Sequence, residues 1–175
     1  MRDSMQEELS LSGQRIDIGK DSVAWAPCHI GSSTEIGASC SIGSLAHIGR
    51  NVKIGNNCRI QGGAYIADGC ILADNVFIGP NATLLNDKYP PSKNPQQWQI
   101  ILIENNAVVG GGATIVPGCS IGQSSVLGAG STLTKSIPQG EVWAGNPAVH
   151  IMSRKEYDVK QSRRKIESQG SENDG

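Results

Sequence analysis

Aromatic side chains are scarce: three Trp, three Tyr and one Phe make up 4% of the 175 residues. A core built around large rings is therefore excluded, and any interior must be aliphatic. Excess charge of one sign is missing as well, with 15 Lys and Arg against 16 Asp and Glu and a net charge of −1. That balance lacks the basic footprint of a nucleic-acid partner. No apolar run approaches the roughly 20 residues needed to span a bilayer, so membrane insertion is not expected. Met1 to Gln14 is polar and has no apolar segment of the kind that directs secretion, which leaves a cytoplasmic location as the expectation. The five cysteines include no Cys-x-x-Cys pair, which removes a zinc knuckle. No histidine occurs between His47 and His150.

What is present is a repeat. Every sixth residue is aliphatic or Ala at Ile18, Ala24, Ile30, Ile36, Ile42, Ile48, Ile54, Ile60, Ile66, Leu72, Ile78 and Leu84. The series resumes at Ile103, Val109, Ile115, Ile121, Leu127 and Leu133, shifted by one residue. A period of six matches neither a helix nor an alternating strand and identifies a parallel β-helix. Four residues after each ladder position stands a second inward residue that is small or β-branched, among them Ser22, Cys28, Thr34, Cys40, Ala46, Val52, Cys58, Ala64 and Cys70. All five cysteines (28, 40, 58, 70 and 119) fall on this position and read as small, reduced, buried residues. Gly follows the ladder residue at 19, 31, 37, 43, 49, 55, 79, 110, 122 and 128, as expected if the chain turns tightly there. Four coils before the interruption and two after it predict a prism roughly 30 Å tall at the strand spacing. Its stability is summed over stacked coils.

The expected organisation is an N-terminal segment over 1–15, a repeat domain over 16–151 with a loop at 85–102, and a charged C-terminal helix and disordered tail over 152–175. The loop is where function is sought. It brings Asn86, Asp87, Lys88, Tyr89, Lys93 and Trp98 within thirteen residues, and Pro90, Pro91 and Pro95 limit its freedom. His29, His47 and Tyr65 are expected to stack on one outward corner as a surface ladder, about 20 Å or more from the coils flanking the second block. His150 lies in the closing segment, where packing is the default reading.

With these motifs in place, the span from Ile18 to Ile151 resembles the hexapeptide-repeat acyltransferases. The segment "VVGGGATIVPGCSIGQSSVLGAGSTLTKSIPQGEVWAGNPAVHI" is similar to their acyl-CoA-binding end. "Asn86-Asp87-Lys88-Tyr89-Pro90", following "IGPNATLL", resembles the motif of N-acetyltransferases acting on nucleotide-linked 3-amino sugars, including those that acetylate UDP-2-acetamido-3-amino-2,3-dideoxyglucuronate. The resemblance implies an all-β, left-handed parallel β-helix of six to seven coils with one extended loop, and acetyl-CoA as donor without a metal. It implies a homotrimer with sites at the subunit boundaries, a nucleotide-linked (UDP or dTDP) amino sugar as acceptor, and a place in surface polysaccharide synthesis. Matching motifs put Gly111 and Ala129 along the pantetheine arm, Thr134 and Lys135 near the nucleotide end of the donor, and Asn146 and Pro147 over its adenine. Pro91 stands where such enzymes carry an Arg, with Lys93 the nearest cation. Lys88, Tyr89 and Lys93 are the expected substrate contacts.

The chemistry of an amine fits this motif. A hydroxyl must lose its proton as it attacks a thioester, and related O-acetyltransferases use a histidine base for that step. A neutral amine is already nucleophilic, so positioning supplies most of the acceleration. Asn86 is expected to hold the amine with its side-chain oxygen, while Asp87 accepts a proton through water or braces the loop. The rivals are a hexapeptide O-acetyltransferase, for which a base is missing, and a non-catalytic scaffold, which would need neither loop nor closing segment. A carbonic anhydrase of this fold needs three convergent histidines, and His29, His47 and His150 are wrongly spaced.

Overall fold

A computed structural model describes residues 13–170. Strands of two residues recur every six positions and form three flat faces of a left-handed, three-sided solenoid of about seven turns. The first face stacks Ser22–Ala26, Ser41–Ile42, Arg59–Ile60, Phe77–Ile78, Val108–Val109, Val126–Leu127 and Glu141–Gly145. The second stacks His29–Ile30, His47–Ile48, Tyr65–Ile66, Thr83–Leu84, Thr114–Ile115 and Thr132–Leu133. Glu35–Ile36, Lys53–Ile54, Ile71–Leu72, Leu102–Ile103 and Ser120–Ile121 make the third. All pairings between coils are parallel, and each ladder residue lies over the next, as in Ile48↔Ile66 and Leu84↔Ile115.

The aliphatic ladder is one continuous buried column. Ile42, Ile48, Ile66, Ile78, Leu84, Ile103, Ile115, Ile121 and Leu127 are all fully buried. The small inward position does more than fill space. Ser22 Oγ donates to the Gly37 carbonyl at 2.8 Å, Thr34 Oγ1 to Gly49 at 2.8 Å, Cys40 Sγ to Gly55 at 3.1 Å and Cys58 Sγ to Ala73 at 3.1 Å. A short side chain with one donor satisfies a buried corner carbonyl at each of these turns, which explains Ser, Thr and Cys in that column. All five cysteines are free thiols; Cys28 is half-buried and the others are buried.

The glycines after the ladder serve a different purpose from the one expected. At Gly31, Gly37 and Gly122 the backbone is not left-handed; a Cβ there would lie 2.5 to 2.6 Å from backbone atoms of the adjacent coil. Inter-coil approach, not the turn, excludes a side chain. The left-handed residue of each corner comes two positions later, at Ser33, Ser39, Leu45, Asn51, Asn57 and Asn75, all with φ near +60°.

Two ends depart from the repeat. Ile18 keeps the six-residue count but belongs to no coil: Gln14–Gly19 pairs antiparallel with Ser22–Ala26 through a turn in which Lys20 and Asp21 both have positive φ. At the other end Glu141–Gly145 adds a seventh rung to the first face, and Ala148–Ser153 folds back on it antiparallel. Helix α1 (Arg154–Gly170) follows. Ser153 and Glu156 cap it reciprocally, with the Ser153 N–H donating to Glu156 Oε2 at 2.8 Å and the Glu156 N–H to Ser153 Oγ at 3.3 Å. Of the expected helix and tail over 152–175, the helix runs as far as Gly170, and 171–175 lie outside the described residues. No helix among the described residues is long and apolar enough to cross a membrane.

Candidate functional site

The loop leaves the corner between the second and third faces. Coils above it repeat with a separation of 18, as in Asn56 N–H donating to Asp74 Oδ1, whereas across the loop Asp74 N–H meets Asn105 Oδ1 31 positions away. The insertion is therefore thirteen residues long, and the coils close over it without losing a rung. Ile101 is fully buried in the column of Cys70 and Leu102 is already strand, so the loop ends at residue 100 instead of 102. Ile101 is an aliphatic residue in the inward position, which is why the count of six alone misplaces this boundary.

A backbone bond closes the neck: the Gln99 N–H donates to the Asn86 carbonyl at 2.8 Å. Asn86 is half-buried at this root. Its Nδ2 donates to the Asp68 carbonyl of the coil above, at a long 3.5 Å. With the amide nitrogen turned to the prism, Oδ1 is the end left to accept from a ligand. The loop also grips the corners on both sides of its gap. A Cβ on Gly69 would meet Ile100 Cγ2 at 3.1 Å, and one on Gly118 would meet Gln99 Oε1 at 2.6 Å.

Asp87 is a brace. Its Oδ1 accepts from the Tyr89 N–H at 3.2 Å and its Oδ2 from the Ser92 N–H at 2.9 Å. The Ser92 backbone donor foremost, with its companion at Tyr89, holds the carboxyl below the ordinary carboxylate value. A carboxylate stabilised in its charged form is a poor proton acceptor, so of the two roles expected for Asp87 the geometry favours bracing. Asn94 Oδ1 accepts from the Gln96 N–H at 3.1 Å and starts the short 3₁₀ turn Pro95–Gln97.

Asp87, Lys88, Tyr89, Ser92 and Gln96–Gln99 surround a concavity of about 530 Å³. Tyr89 is 79% exposed at its rim, while Lys93 is exposed and lies outside it. Trp98 is half-buried in the wall, and its indole N–H is buried without a hydrogen-bond partner among the described residues. Burial pushes the Cys119 thiol up, and the nearby Lys88 ammonium opposes that shift.

The residues expected at the donor end fall in two places. Thr134, Lys135 and Pro147 share a concavity of about 170 Å³ with Trp143, Ala148, Val149 and His150. His150 joins this wall because the closing hairpin folds back, which the six-residue period cannot show. Gly111 and Ala129 stand elsewhere, stacked below Pro80 on the corner between the first and second faces, where the Gly130 N–H donates to the Gly111 carbonyl at 2.9 Å. Asn146 is exposed beside Pro147. Within one subunit, loop and glycine corner are separated by the width of the second face.

His29, His47 and Tyr65 do stack, on the strands of the second face and not at a corner, with centroids 4.5 Å apart for the two histidines and 4.8 Å for His47 and Tyr65. Their distance from the loop is shorter than expected. Tyr65 pairs directly with Thr83, and His47 is only two rungs from it, about 10 Å at the strand spacing. Among the described residues no group of three or more His, Cys, Asp or Glu could hold a metal ion.

Comparison with known proteins agrees with the fold. WeeI from Acinetobacter baumannii AYE has a similar structure (TM-score 0.64, 28% identity), the match covering 74% of this chain and 57% of WeeI. The chain thus spans less than two thirds of that relative. A hexapeptide-repeat-containing acetyltransferase from Vibrio cholerae O1 biovar eltor, complexed with acetyl coenzyme A, matches at TM-score 0.54 and 25% identity over 71% of this chain and 70% of its own. A mutant of AntD, an N-acyltransferase from Bacillus cereus in complex with dTDP and coenzyme A, shares the fold at TM-score 0.69 and 17% identity over 96% of this chain and 97% of its own. No curated protein matches the sequence. The family model for the bacterial transferase hexapeptide (six repeats) matches residues 33–68, 51–86 and 101–135, about half of the chain, and on that ground the chain belongs to the bacterial hexapeptide transferases.

Proposed function

We propose that the protein is an acetyl-CoA-dependent N-acetyltransferase acting on the amino group of a nucleotide-linked amino sugar, UDP- or dTDP-linked, in surface polysaccharide synthesis. The observation that carries this reading is the orientation of Asn86. Its amide nitrogen is tied to the Asp68 carbonyl, which leaves the oxygen to accept an N–H from the substrate amine. An amine so held keeps its lone pair free for the acyl carbon. The nitrogen forms the new C–N bond, the thioester C–S bond breaks, and the departing thiolate takes the proton that the nitrogen sheds. No protein base is needed, which suits a loop whose one carboxylate, Asp87, is occupied by the Tyr89 and Ser92 N–H groups.

Lys88 and Tyr89 line the loop concavity as substrate contacts, and the unpartnered Trp98 N–H offers a donor to a polar ligand there. Lys93, outside the concavity, meets the substrate only from the rim. At the donor end Gly111 and Ala129 admit the pantetheine arm, Thr134 and Lys135 face the CoA phosphates, and Asn146 and Pro147 border the adenine. The Vibrio cholerae relative was solved with acetyl coenzyme A, which supports the choice of donor. Because loop and glycine corner lie apart in one subunit, a neighbouring copy brings them together. A homotrimer in the cytoplasm is the arrangement we propose.

The test is thiol release from acetyl-CoA in the presence of UDP- and dTDP-linked amino sugars and their hydroxyl counterparts. Acetylation of an amino sugar with none of the hydroxyl compound is the expected result. Acetylation of the hydroxyl alone, or no binding of CoA at millimolar concentration, overturns the proposal.

A further inference from the structure

The second face carries rings over its first three coils and none below them. His29, His47 and Tyr65 stack nearly parallel, with interplanar angles of 13° and 9°, and the rungs that follow are Thr83, Thr114 and Thr132. A threonine side chain ends one atom beyond Cβ, where the phenol ring begins. The upper surface of the Tyr65 ring is covered by His47, whereas below it the face drops to a step three coils deep. Tyr65 ends the stack and is 42% exposed. The level beneath its ring is that of Thr83, three residues before Asn86 and thus within about 10 Å of it along the strand. The step is bordered on one side by the loop root and on the other by the bare corner of Pro80, Gly111 and Ala129.

From this geometry we infer that Tyr65 is the stacking platform for the nucleobase of the acceptor, the planar base continuing the His29–His47–Tyr65 stack over Thr83. The inference rests on a nucleotide-linked substrate, as proposed above. A nucleoside diphosphate places two phosphates and a ribose between base and sugar, enough to set the base under Tyr65 while the amino group reaches Asn86. The stack itself is the reason for the site: the ladder spacing of 4.5 to 4.8 Å repeats at each coil, so the first missing ring leaves, at the level of Thr83, a slot roofed by Tyr65 and open on its lower side. Stacking of this kind tolerates any base, since every base has a π-face. Adenine of the donor is the other source of such a ring. Lys135 and Pro147 lie two or more coils further down, which assigns adenine to that end and the acceptor base to Tyr65.

Calorimetric titration of UDP, dTDP and CoA into the wild type and three variants tests the assignment. Tyr65→Ala is expected to weaken UDP and dTDP about 5- to 150-fold, the range of one lost base–aromatic stack, and to leave CoA unchanged. Tyr65→Phe keeps the ring and the affinity. Thr83→Trp fills the slot and weakens both nucleotides while the column beneath stays intact, which separates the site from any folding defect of the alanine variant. Wild-type affinity for UDP and dTDP in Tyr65→Ala overturns the inference, as does a loss confined to CoA or a wild type that binds neither nucleotide. Thiol-release assays separate this site from the reaction. A protein that binds UDP through Tyr65 yet acetylates no amine keeps the platform and refutes the acetyl transfer, whereas acetyl transfer with an unchanged KM for the sugar in Tyr65→Ala refutes the platform alone.

Discussion

Replacing Asn86 isolates positioning from folding. The side chain is half-buried and makes one long hydrogen bond, 3.5 Å to the Asp68 carbonyl, while the neck of the loop is closed by its backbone through Gln99. Asn86→Ala therefore costs about 1 kcal/mol of stability or less, and the loop keeps its closure. The effect on turnover is larger. Losing the oxygen proposed to hold the amine removes a neutral hydrogen bond worth about 0.5–1.5 kcal/mol and frees the nitrogen to drift, and a displacement of about 1 Å costs as much as a hundredfold in rate. A decrease in kcat of about 10- to 100-fold is expected, or 1.4 to 2.7 kcal/mol at about 1.36 kcal/mol per tenfold. Asn86→Asp sharpens the test. A carboxylate at the same place holds the ammonium form, whose lone pair is blocked, and it turns an acceptor toward the Asp68 carbonyl, so it does no better than Ala near neutral pH. The assay is continuous thiol release under saturating acetyl-CoA, with thermal unfolding as the control. A kcat within twofold of wild type for Asn86→Ala, in a protein that melts normally, refutes the positioning role.

Asp87 has a carboxyl held below its ordinary value of 3.8, so its bracing is fully present above that pH and is lost only as pH falls through the lower folded value. Fluorescence of Trp98 in a Trp25→Phe, Trp143→Phe background should stay constant from pH 7 to about pH 5; a loop transition within that range contradicts the bracing. Gly31→Ala should cost about 3 kcal/mol or more, because the new methyl meets the Gly49 backbone at 2.5 Å. Gly112→Ala, with open space and φ +65°, should cost about 1–2 kcal/mol in thermal unfolding; reversal of that order refutes the inter-coil reading. Burial pushes the Cys58 and Cys70 thiols up to about 11, so at pH 8 a disulfide reagent should modify half-buried Cys28 first and leave those two until the protein unfolds. Lys135→Ala should raise the KM for acetyl-CoA several-fold at low salt with little change in kcat, since an exposed ammonium acts on phosphate as a screened point charge; equal kinetics would remove it from the donor site.

The repeat makes the fold legible because every coil restates it. Ile48, Ile66 and Leu84 declare the column three times over, and one deviant residue does not hide it. What the period cannot carry is information from outside a single coil. Ile18 keeps the count, yet the paired left-handed residues Lys20 and Asp21 turn its segment into a hairpin. The glycine that follows many ladder residues is visible, but its cause lies eighteen positions away in the backbone of the next coil, as Gly31 against Gly49 shows. In the loop the motif around Asn86 can be read from sequence. The bonds that fix it, from Asp68 above and Gln99 across the neck, join residues far apart in the chain. His150 enters the donor-end wall only through the closing hairpin. The capping pair Ser153 and Glu156 has the spacing of a helix start and is the one local signal that could have been used to place α1.

The way the loop is accommodated explains how such a fold carries specificity. Ile71 pairs with Leu102 and Thr83 with Thr114 across the insertion, in the register that Lys53 and Tyr65 keep on the other side. The column therefore passes the loop with no missing rung, and its stability, summed over neighbouring coils, is nearly independent of what the excursion contains. The column constrains the excursion at its neck, by the Gln99 to Asn86 bond and by contacts at Gly69 and Gly118. Residues 87 to 98 are free of the packing demands that fix Leu84 and Ile101 on either side. A transferase built this way can change its acceptor by rewriting a dozen loop residues while Asn86, rooted in the stiff part, keeps its aim. The same separation predicts that shortening the loop between Lys88 and Gln97 leaves the melting temperature within a few degrees of wild type and abolishes acetyl transfer. A large loss of stability would mean that loop and column fold as one unit.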